Sequence, residues 1–303
     1  MMPDTVITGV GGLIGYHLAS NYLKRNHAIL GIDLSTNALI EELQKSPCFD
    51  FRLADLASVE QTQKALPQPV KIIYHLASQP AVWFANSHPR ADFLTNALGT
   101  INVLERMREL GGGKIIFTST GDIYENTKYP DEQSPLKPQN FYGLSKLTAE
   151  NYIKQYAQQF SLNYTIMRFS VIYGPHIRRN VIFDILKGIT GGELVLHSSP
   201  DSEYDFLYID DCIDALILAA AAEWDNKTIN ISSGKATPVN QLIDIISSAM
   251  AKQGEVEIKA LGENVACKVY LNKQALSLGW APKININDGI KKTVEWWISN
   301  NAN

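Results

Sequence analysis

The chain has 303 residues, enough for one large domain or two moderate ones with ample core either way. Its composition of 45% hydrophobic and 19% charged residues is that of an ordinary globular protein. The net charge of −4 leaves no basic surplus for nucleic acid or an anionic membrane, and the apolar run Ala215 to Ala222 is far too short to span a bilayer.

In chain order, Thr5 to Thr8 reads as a short buried strand, followed by glycines and an amphipathic helix from about Leu13 to Arg25. Ala28 to Asp33 is a second strand, Phe49 to Leu53 a third and Val70 to Leu76 a fourth. Lys114 to Thr118 is a fifth and Tyr164 to Arg168 a sixth, with helical segments between. Continuous apolar strands alternating with helices predict a parallel sheet covered on both faces. From about Val171 the pattern is irregular, with two clear helices, Pro238 to Ala251 and Asp288 to Ser299. The expected organisation is a doubly wound α/β domain over 1–170, with part of 206–235 packed on it, and a smaller α/β domain over 171–303. Cys48, Cys212 and Cys267 are odd in number and in no metal spacing, so they read as reduced thiols and no metal is expected. The start, Met1-Met2-Pro3-Asp4, lacks a basic n-region, so no signal peptide is expected and a cytoplasmic location is.

The first motif is Thr8-Gly9-Val10-Gly11-Gly12-Leu13-Ile14-Gly15, between strand one and helix one. Gly9 permits the tight turn, Gly12 lets the backbone approach a pyrophosphate, and Gly15 lets the helix pack on the strand. The phosphates would sit at the positive end of the helix. Asp33 closes strand two 24 positions beyond Gly9, near the spacing of a ribose-binding acid. No Arg or Lys follows it closely, which favours NAD over NADP because a carboxylate repels a 2′-phosphate.

The second motif is Tyr142-Gly143-Leu144-Ser145-Lys146, opening a long helix. Residues four apart share a helix face. A free tyrosine titrates at about 10, and a neighbouring ammonium together with a nicotinamide ring favours the phenolate. Such a tyrosine can act as a base near neutral pH.

These motifs, with Asp55-Leu56, His75-Leu76-Ala77-Ser78, Asn96-Ala97-Leu98-Gly99-Thr100, Tyr173-Gly174-Pro175, Asp205 to Asp211 and Leu278-Gly279-Trp280, resemble the extended short-chain dehydrogenase/reductase family of nucleotide-sugar epimerases and dehydratases. The resemblance runs over nearly the whole chain and implies a Rossmann domain binding NAD. It implies that Asp55 meets the adenine with Leu56 packed near it, and that Ala77 and Ser78 border the pyrophosphate and nicotinamide ribose. Leu13, Ile14, Leu76, Thr118 and Phe169 complete the expected cofactor set. Tyr142 would be the base, Lys146 would hold the ribose and tune Tyr142, and Thr120 would hydrogen-bond the reacting sugar oxygen, with Ser119 as the alternative. Gln79 and Arg178 are expected on the substrate side. His75 reads as a satisfied buried histidine. A homodimer through the Tyr142 helix and the helix after Asn96 is expected.

Four departures bear on the reaction. Asp122 stands where family dehydratases and decarboxylases usually carry Glu, and Gly121 stands where their partner acid often lies. Val171 replaces a common substrate-contacting Asn. Tyr204 replaces an Arg that clamps the diphosphate, with Arg178 and Arg179 as candidates to compensate. His197-Ser198-Ser199-Pro200-Asp201 replaces a glycine-rich turn. The leading expectation is an NAD-dependent nucleotide-sugar epimerase working through a transient 4-keto sugar. The alternatives are a 4,6-dehydratase or decarboxylase using Asp122, then a 4-keto-sugar reductase, which Asp33 disfavours, or a non-catalytic NAD-binding protein.

Overall fold

The computed structural model describes residues 3–196, 199–251, 257–260 and 266–301. It divides into two compact units, one of Met1–Thr127, Glu132–Arg168 and Ile213–Ile229, the other of Lys128–Asp131, Phe169–Cys212 and Asn230–Asn303.

The first unit follows the alternating pattern: β1 (Thr5–Thr8), α1 (Leu13–Lys24), β2 (Ile29–Asp33), α2 (Ala38–Leu43), β3 (Phe49–Leu53), α3 (Val59–Ala65) and β4 (Ile72–His75). Then come α4 (Val82–Ser87), α5 (Pro89–Phe93), a single π turn over Leu94–Leu98, α6 (Gly99–Glu109), β5 (Lys114–Thr120), α7 (Phe141–Phe160) and β6 (Asn163–Phe169). A seven-stranded sheet has the order Lys227–Ile231, β6, β5, β4, β1, β2, β3. β1 pairs in parallel with both β2 and β4, which places the switch in winding between β1 and β4. The fold is therefore the expected doubly wound parallel sheet of Rossmann type.

The central strands are buried almost throughout, as both faces are covered, whereas the edge strand β3 is only half-buried and carries Asp50 and Arg52. One core cluster joins Val6, Leu30, Ile73, Ile115 and Phe117 of the sheet to Val103, Leu104 and Met107 of α6 and Ala149 and Ile153 of α7.

Two strands differ from expectation near the site. β4 stops at His75 because the next two amides, of Leu76 and Ala77, donate to the Thr8 hydroxyl at 3.2 and 3.1 Å. β5 runs on through Ser119 and Thr120. It ends where Thr120 Oγ1 accepts from the Asp122 amide at 3.2 Å and caps a 3₁₀ turn over Gly121–Ile123.

In the second unit Val171–Tyr173 pairs in parallel with Phe206–Tyr208. The carboxylate of Asp205 accepts from the Ser233 and Gly234 amides at 2.7 and 2.8 Å, and that of Asp211 from the Lys283 and Ile284 amides, both at 3.0 Å. Trp280 Nε1 donates to the Asp211 carbonyl. These bonds give the Asp205 to Asp211 and Leu278 to Trp280 motifs a structural purpose. The two C-terminal helices span Val239–Ala249 and Ile286–Asn301. Among the described residues no helix is long and apolar enough to cross a membrane, and no cluster of His, Cys, Asp and Glu could hold a metal.

Candidate active site

The glycine turn is built against β4. Gly9 has φ +69°, and a Cβ there would stand 2.7 Å from the Ala77 nitrogen. A Cβ on Gly15 would overlap the Gly9 carbonyl, so helix α1 can approach β1 only with glycine at that position. A Cβ on Gly12 meets only that carbonyl, at 3.3 Å, and no side chain caps α1 at Gly12. The amides of its first turn, at Leu13 and Ile14, thus form the positive end of the helix dipole, and the capping position offers them no side-chain acceptor.

Asp33 Oδ2 accepts from the Gly11 amide at 2.9 Å, and its Oδ1 has only a long 3.4 Å bond from the Ser35 amide. Asn37 holds the same turn from outside, donating to the Gly11 carbonyl at 3.1 Å while capping α2. At Asp55 one carboxylate oxygen accepts from the Ala57 amide, and Leu56 is buried beneath Asn102, which donates to its carbonyl at 2.8 Å. The Ser78 hydroxyl is buried without a hydrogen-bond partner among the described residues, as is that of Ser119. A glycine cradle, an uncapped helix start, an underused Asp33 oxygen and an orphaned Ser78 hydroxyl fit a dinucleotide.

Next to this turn, His75 bonds through Nδ1 with Thr8 at 2.8 Å and through Nε2 with Thr100 at 3.1 Å. Burial, reinforced by the Lys146 charge, pushes its pKa down to about 3, so the ring is neutral. It is the satisfied buried histidine that the sequence suggests. Thr118 is buried on β5, and its hydroxyl reaches the His75 carbonyl at 3.5 Å.

Helix α7 starts at Asn140, whose side chain accepts from the Gly143 amide at 2.7 Å. Tyr142 lies half-buried in the first turn, and Lys146 follows one turn later, 1% exposed, with Nζ 4.1 Å from the centre of the Phe117 ring. Burial pushes the Lys146 ammonium down to about 7, against the opposing pull of Glu150 and then Asp92. The 3₁₀ turn after Thr120 packs on this helix start: a Cβ on Gly143 would stand 2.5 Å from the Asp122 carbonyl oxygen. Thr120, Asp122, Tyr142 and Lys146 thus belong to two segments in backbone contact. The Thr120 hydroxyl spends a lone pair on the Asp122 amide and keeps its proton to donate elsewhere.

Several supporting residues have roles that sequence reading did not assign. Asn96 accepts from the Gln79 amide and donates to the Gln79 carbonyl, to Asp92 Oδ1 and to Ser145 Oγ. Ser145 in turn donates to the Tyr142 carbonyl at 3.0 Å. Arg168, at the end of β6, makes a buried two-pronged bond to Glu150 at 3.0 and 2.7 Å and donates to the Tyr124 hydroxyl at 2.9 Å. It therefore ties the segment after Thr120 to α7. The available signal was Glu150 itself, on the face of Tyr142 and Lys146 at four-residue spacing, with an arginine closing an apolar strand.

On the substrate side, the Gln79 side chain folds back on Ala81, accepting from its amide at 2.7 Å. Phe169 is buried at the end of β6. In the second unit, Arg178 and Arg179 are exposed, and Tyr204 is half-buried on a strand paired with Thr237 and Lys268. Val171 pairs with Phe206. His197 and Ser198 lie outside the described residues.

Residues 5–232 match the NAD dependent epimerase/dehydratase family. A protein of Methanocaldococcus jannaschii, provisionally named a UDP-glucose 4-epimerase, is 33% identical, covering 98% of this chain and 99% of its own length. The UDP-glucose 4-epimerase of Mycolicibacterium smegmatis is 26% identical, covering 97% of this chain and 98% of its own. The solved UDP-glucose 4-epimerase of Thermotoga maritima with UDP-glucose has a TM-score of 0.90 at 26% identity, covering 98% of this chain and 99% of that one. The Thermus thermophilus UDP-glucose 4-epimerase complexed with NAD has a TM-score of 0.88 at 26% identity, covering 97% and 98%. The family match runs from β1 to the last strand of the sheet, and the relatives are covered end to end. The chain therefore belongs to the NAD-dependent epimerase/dehydratase family.

Proposed function

We propose that this protein is an NAD-dependent UDP-sugar 4-epimerase, with UDP-glucose and UDP-galactose as the first pair to test. The single observation that carries the reading is the joint built by Thr120, Asp122 and Gly143. It brings the segment carrying the Thr120 hydroxyl into backbone contact with the start of the helix carrying Tyr142 and Lys146, and it engages Asp122 in the turn through its backbone.

Gly9, Gly12, Gly15 and the amides of Leu13 and Ile14 would hold the pyrophosphate, and Asp33 the adenosine ribose. Asp55 and Leu56 would border the adenine. Leu76, Ala77, Ser78, Thr118 and Phe169 would line the nicotinamide half. Bound NAD would supply the hydride acceptor for the sugar C4 and the donor on return. Tyr142 takes the proton of the C4 hydroxyl and later gives it back. Thr120 donates to the C4 oxygen through the transient 4-keto sugar. Lys146 holds the ribose and favours the phenolate of Tyr142. These groups are sufficient at C4, and no proton transfer at C5 is required of Asp122.

The substrate-side candidates are Gln79 in the first unit and Arg178 in the second, where Tyr204 offers a ring rather than a guanidinium. The protein would act in the cytoplasm as a homodimer. The exposed apolar side chains Phe141, Leu144, Tyr152 and Phe160 on α7 support that assembly, and sedimentation showing only monomer would remove it.

The deciding experiment is product analysis after incubation with UDP-glucose and a panel of other nucleotide sugars. An epimerase gives a new isomer of unchanged mass. Loss of water or of carbon dioxide would replace this reading with dehydration or decarboxylation.

A further inference from the structure

The hydrogen bonds around His75 fix which of its ring nitrogens carries the proton. The Thr8 hydroxyl oxygen accepts from the Leu76 and Ala77 amides at 3.2 and 3.1 Å. A hydroxyl has two lone pairs and one proton, so both acceptor sites are taken. In its third bond, the 2.8 Å contact with His75 Nδ1, Thr8 must therefore donate, and Nδ1 is bare. The other side of the ring gives the same answer independently. Thr100 Oγ1 lies 2.6 Å from the Asn96 carbonyl, which can only accept, so the Thr100 proton points there. The 3.1 Å contact between Thr100 and His75 Nε2 then runs from ring to hydroxyl, and Nε2 carries the proton. Thr8, His75 and Thr100 are all buried, so a donor facing a donor here would find no relief in solvent. The neutral ring agrees with the low pKa that burial, then the Lys146 charge, imposes.

This direction of bonding bears on Leu76 to Gln79, the segment that follows β4. Its first two amides hang on Thr8. Its other end is held by Asn96, which accepts from the Gln79 amide at 2.8 Å and donates to the Gln79 carbonyl at 3.1 Å. The glycine turn rests on the same place, since a Cβ on Gly9 would stand 2.7 Å from the Ala77 nitrogen. A proton on Nδ1 would claim a lone pair of Thr8, and one of the two amides would lose its acceptor. The chain from Thr8 through His75 and Thr100 to the Asn96 carbonyl thus joins both anchors of the segment. Between them lies Ser78, with its orphaned hydroxyl.

We infer that His75 is a positioning residue for the cofactor: as the Nε2–H tautomer it takes the Thr8 proton and leaves both Thr8 lone pairs to hold Leu76 and Ala77 against the glycine turn. That Leu76, Ala77 and Ser78 line the nicotinamide half rests on the function proposed above, whereas the tautomer rests on the hydrogen bonds alone.

Nitrogen NMR of protein carrying ¹⁵N-histidine reads the tautomer, because bare and protonated ring nitrogens resonate far apart and couplings to the ring C–H protons tell Nδ1 from Nε2. The His75 signals are assigned by their loss in a folded His75 variant. Near neutral pH Nδ1 should be bare and Nε2 protonated; a protonated Nδ1 overturns the proposal. The positioning is read by calorimetry of NAD binding without sugar. His75→Leu leaves the Thr8 proton without an acceptor and should weaken NAD binding by about tenfold. His75→Asn, whose side-chain oxygen can stand near the Nδ1 position, should recover most of that loss. Equal affinities in the two variants would reduce His75 to packing and overturn the proposal. Should His75→Leu not fold, His75→Gln replaces it, since its amide extends toward Thr100 and leaves Thr8 unmet; NAD binding as tight as in His75→Asn would again overturn it. If tautomer and affinities come out as expected but the wild-type protein epimerises no nucleotide sugar, the positioning stands and the functional reading fails. Epimerisation with Nδ1 protonated, or with the variants alike, keeps that reading and ends the proposal.

Discussion

Gly143→Ala separates the geometry of the site from the stability of the fold. Gly143 is absent from the positive-φ residues, so alanine suits its backbone, and in a helix interior alanine is about 1 kcal/mol better than glycine. Taken alone, helix propensity therefore favours the variant. The added Cβ, however, would stand 2.5 Å from the Asp122 carbonyl oxygen, 3.0 Å from its carbon and 3.1 Å from Pro138 Cβ. Comfortable carbon contacts begin near 3.5 Å, so the Thr120–Asp122 turn and the start of α7 must part by about 1 Å. Overpacking of this kind costs about 1–3 kcal/mol, which leaves a net loss of about 0–2 kcal/mol after the propensity gain. The same 1 Å falls between the Thr120 hydroxyl and Tyr142, where a misplacement of that size costs about a hundredfold in rate. A coupled UDP-galactose to UDP-glucose assay should show that loss beside a small drop in melting temperature, with NAD affinity retained because the glycine turn is untouched. A variant more stable by about 1 kcal/mol with full turnover would refute the reasoning, since it would mean that turn and helix are not in contact as described.

By calorimetry NAD should bind at least about tenfold tighter than NADP, a difference of about 1.4 kcal/mol, if Asp33 meets the ribose as proposed; equal binding would remove Asp33 from that role. Tyr142→Phe should lower turnover by about two orders of magnitude or more with NAD binding nearly unchanged, and near-normal turnover would exclude Tyr142 as the base. Asp122→Asn keeps the backbone bond to Thr120 and should cost less than about tenfold in turnover, or about 1.4 kcal/mol. A hundredfold loss with reduced cofactor accumulating in the nicotinamide absorbance band would instead point to dehydration or decarboxylation. His75 gives a pH prediction. Folded, it takes a proton only near pH 3, while its unperturbed value is 6.5. The unfolded chain therefore binds the extra proton between these values, and stability falls as pH drops below 6.5. Between pH 7 and pH 5 the wild-type protein should lose about 2 kcal/mol more in urea unfolding than His75→Gln; parallel losses would show that His75 is not the group titrating.

The period and polarity of the chain alone determined the alternating strands and helices, because a strand buried on both faces must be apolar throughout and a covering helix must repeat on one side. The glycine turn, with Asp33 at the end of the next strand, was equally legible, since those steric demands are local. Tyr142 and Lys146 could be paired from the helix repeat. The ends of β4 and β5 could not be read, because side-chain oxygens of Thr8 and Thr120, one of them on another strand, set where each ladder stops. Nor could the bonds of Asn96 with Asp92 and Ser145, or of Arg168 with Glu150, be recognised: the links between Glu150 and Arg168 and between Asn96 and Ser145 span 18 and 49 positions of chain. Local sequence carries no record of such distances. Only tertiary packing decides which charges leave water together, and burial then moves the pKa of Lys146.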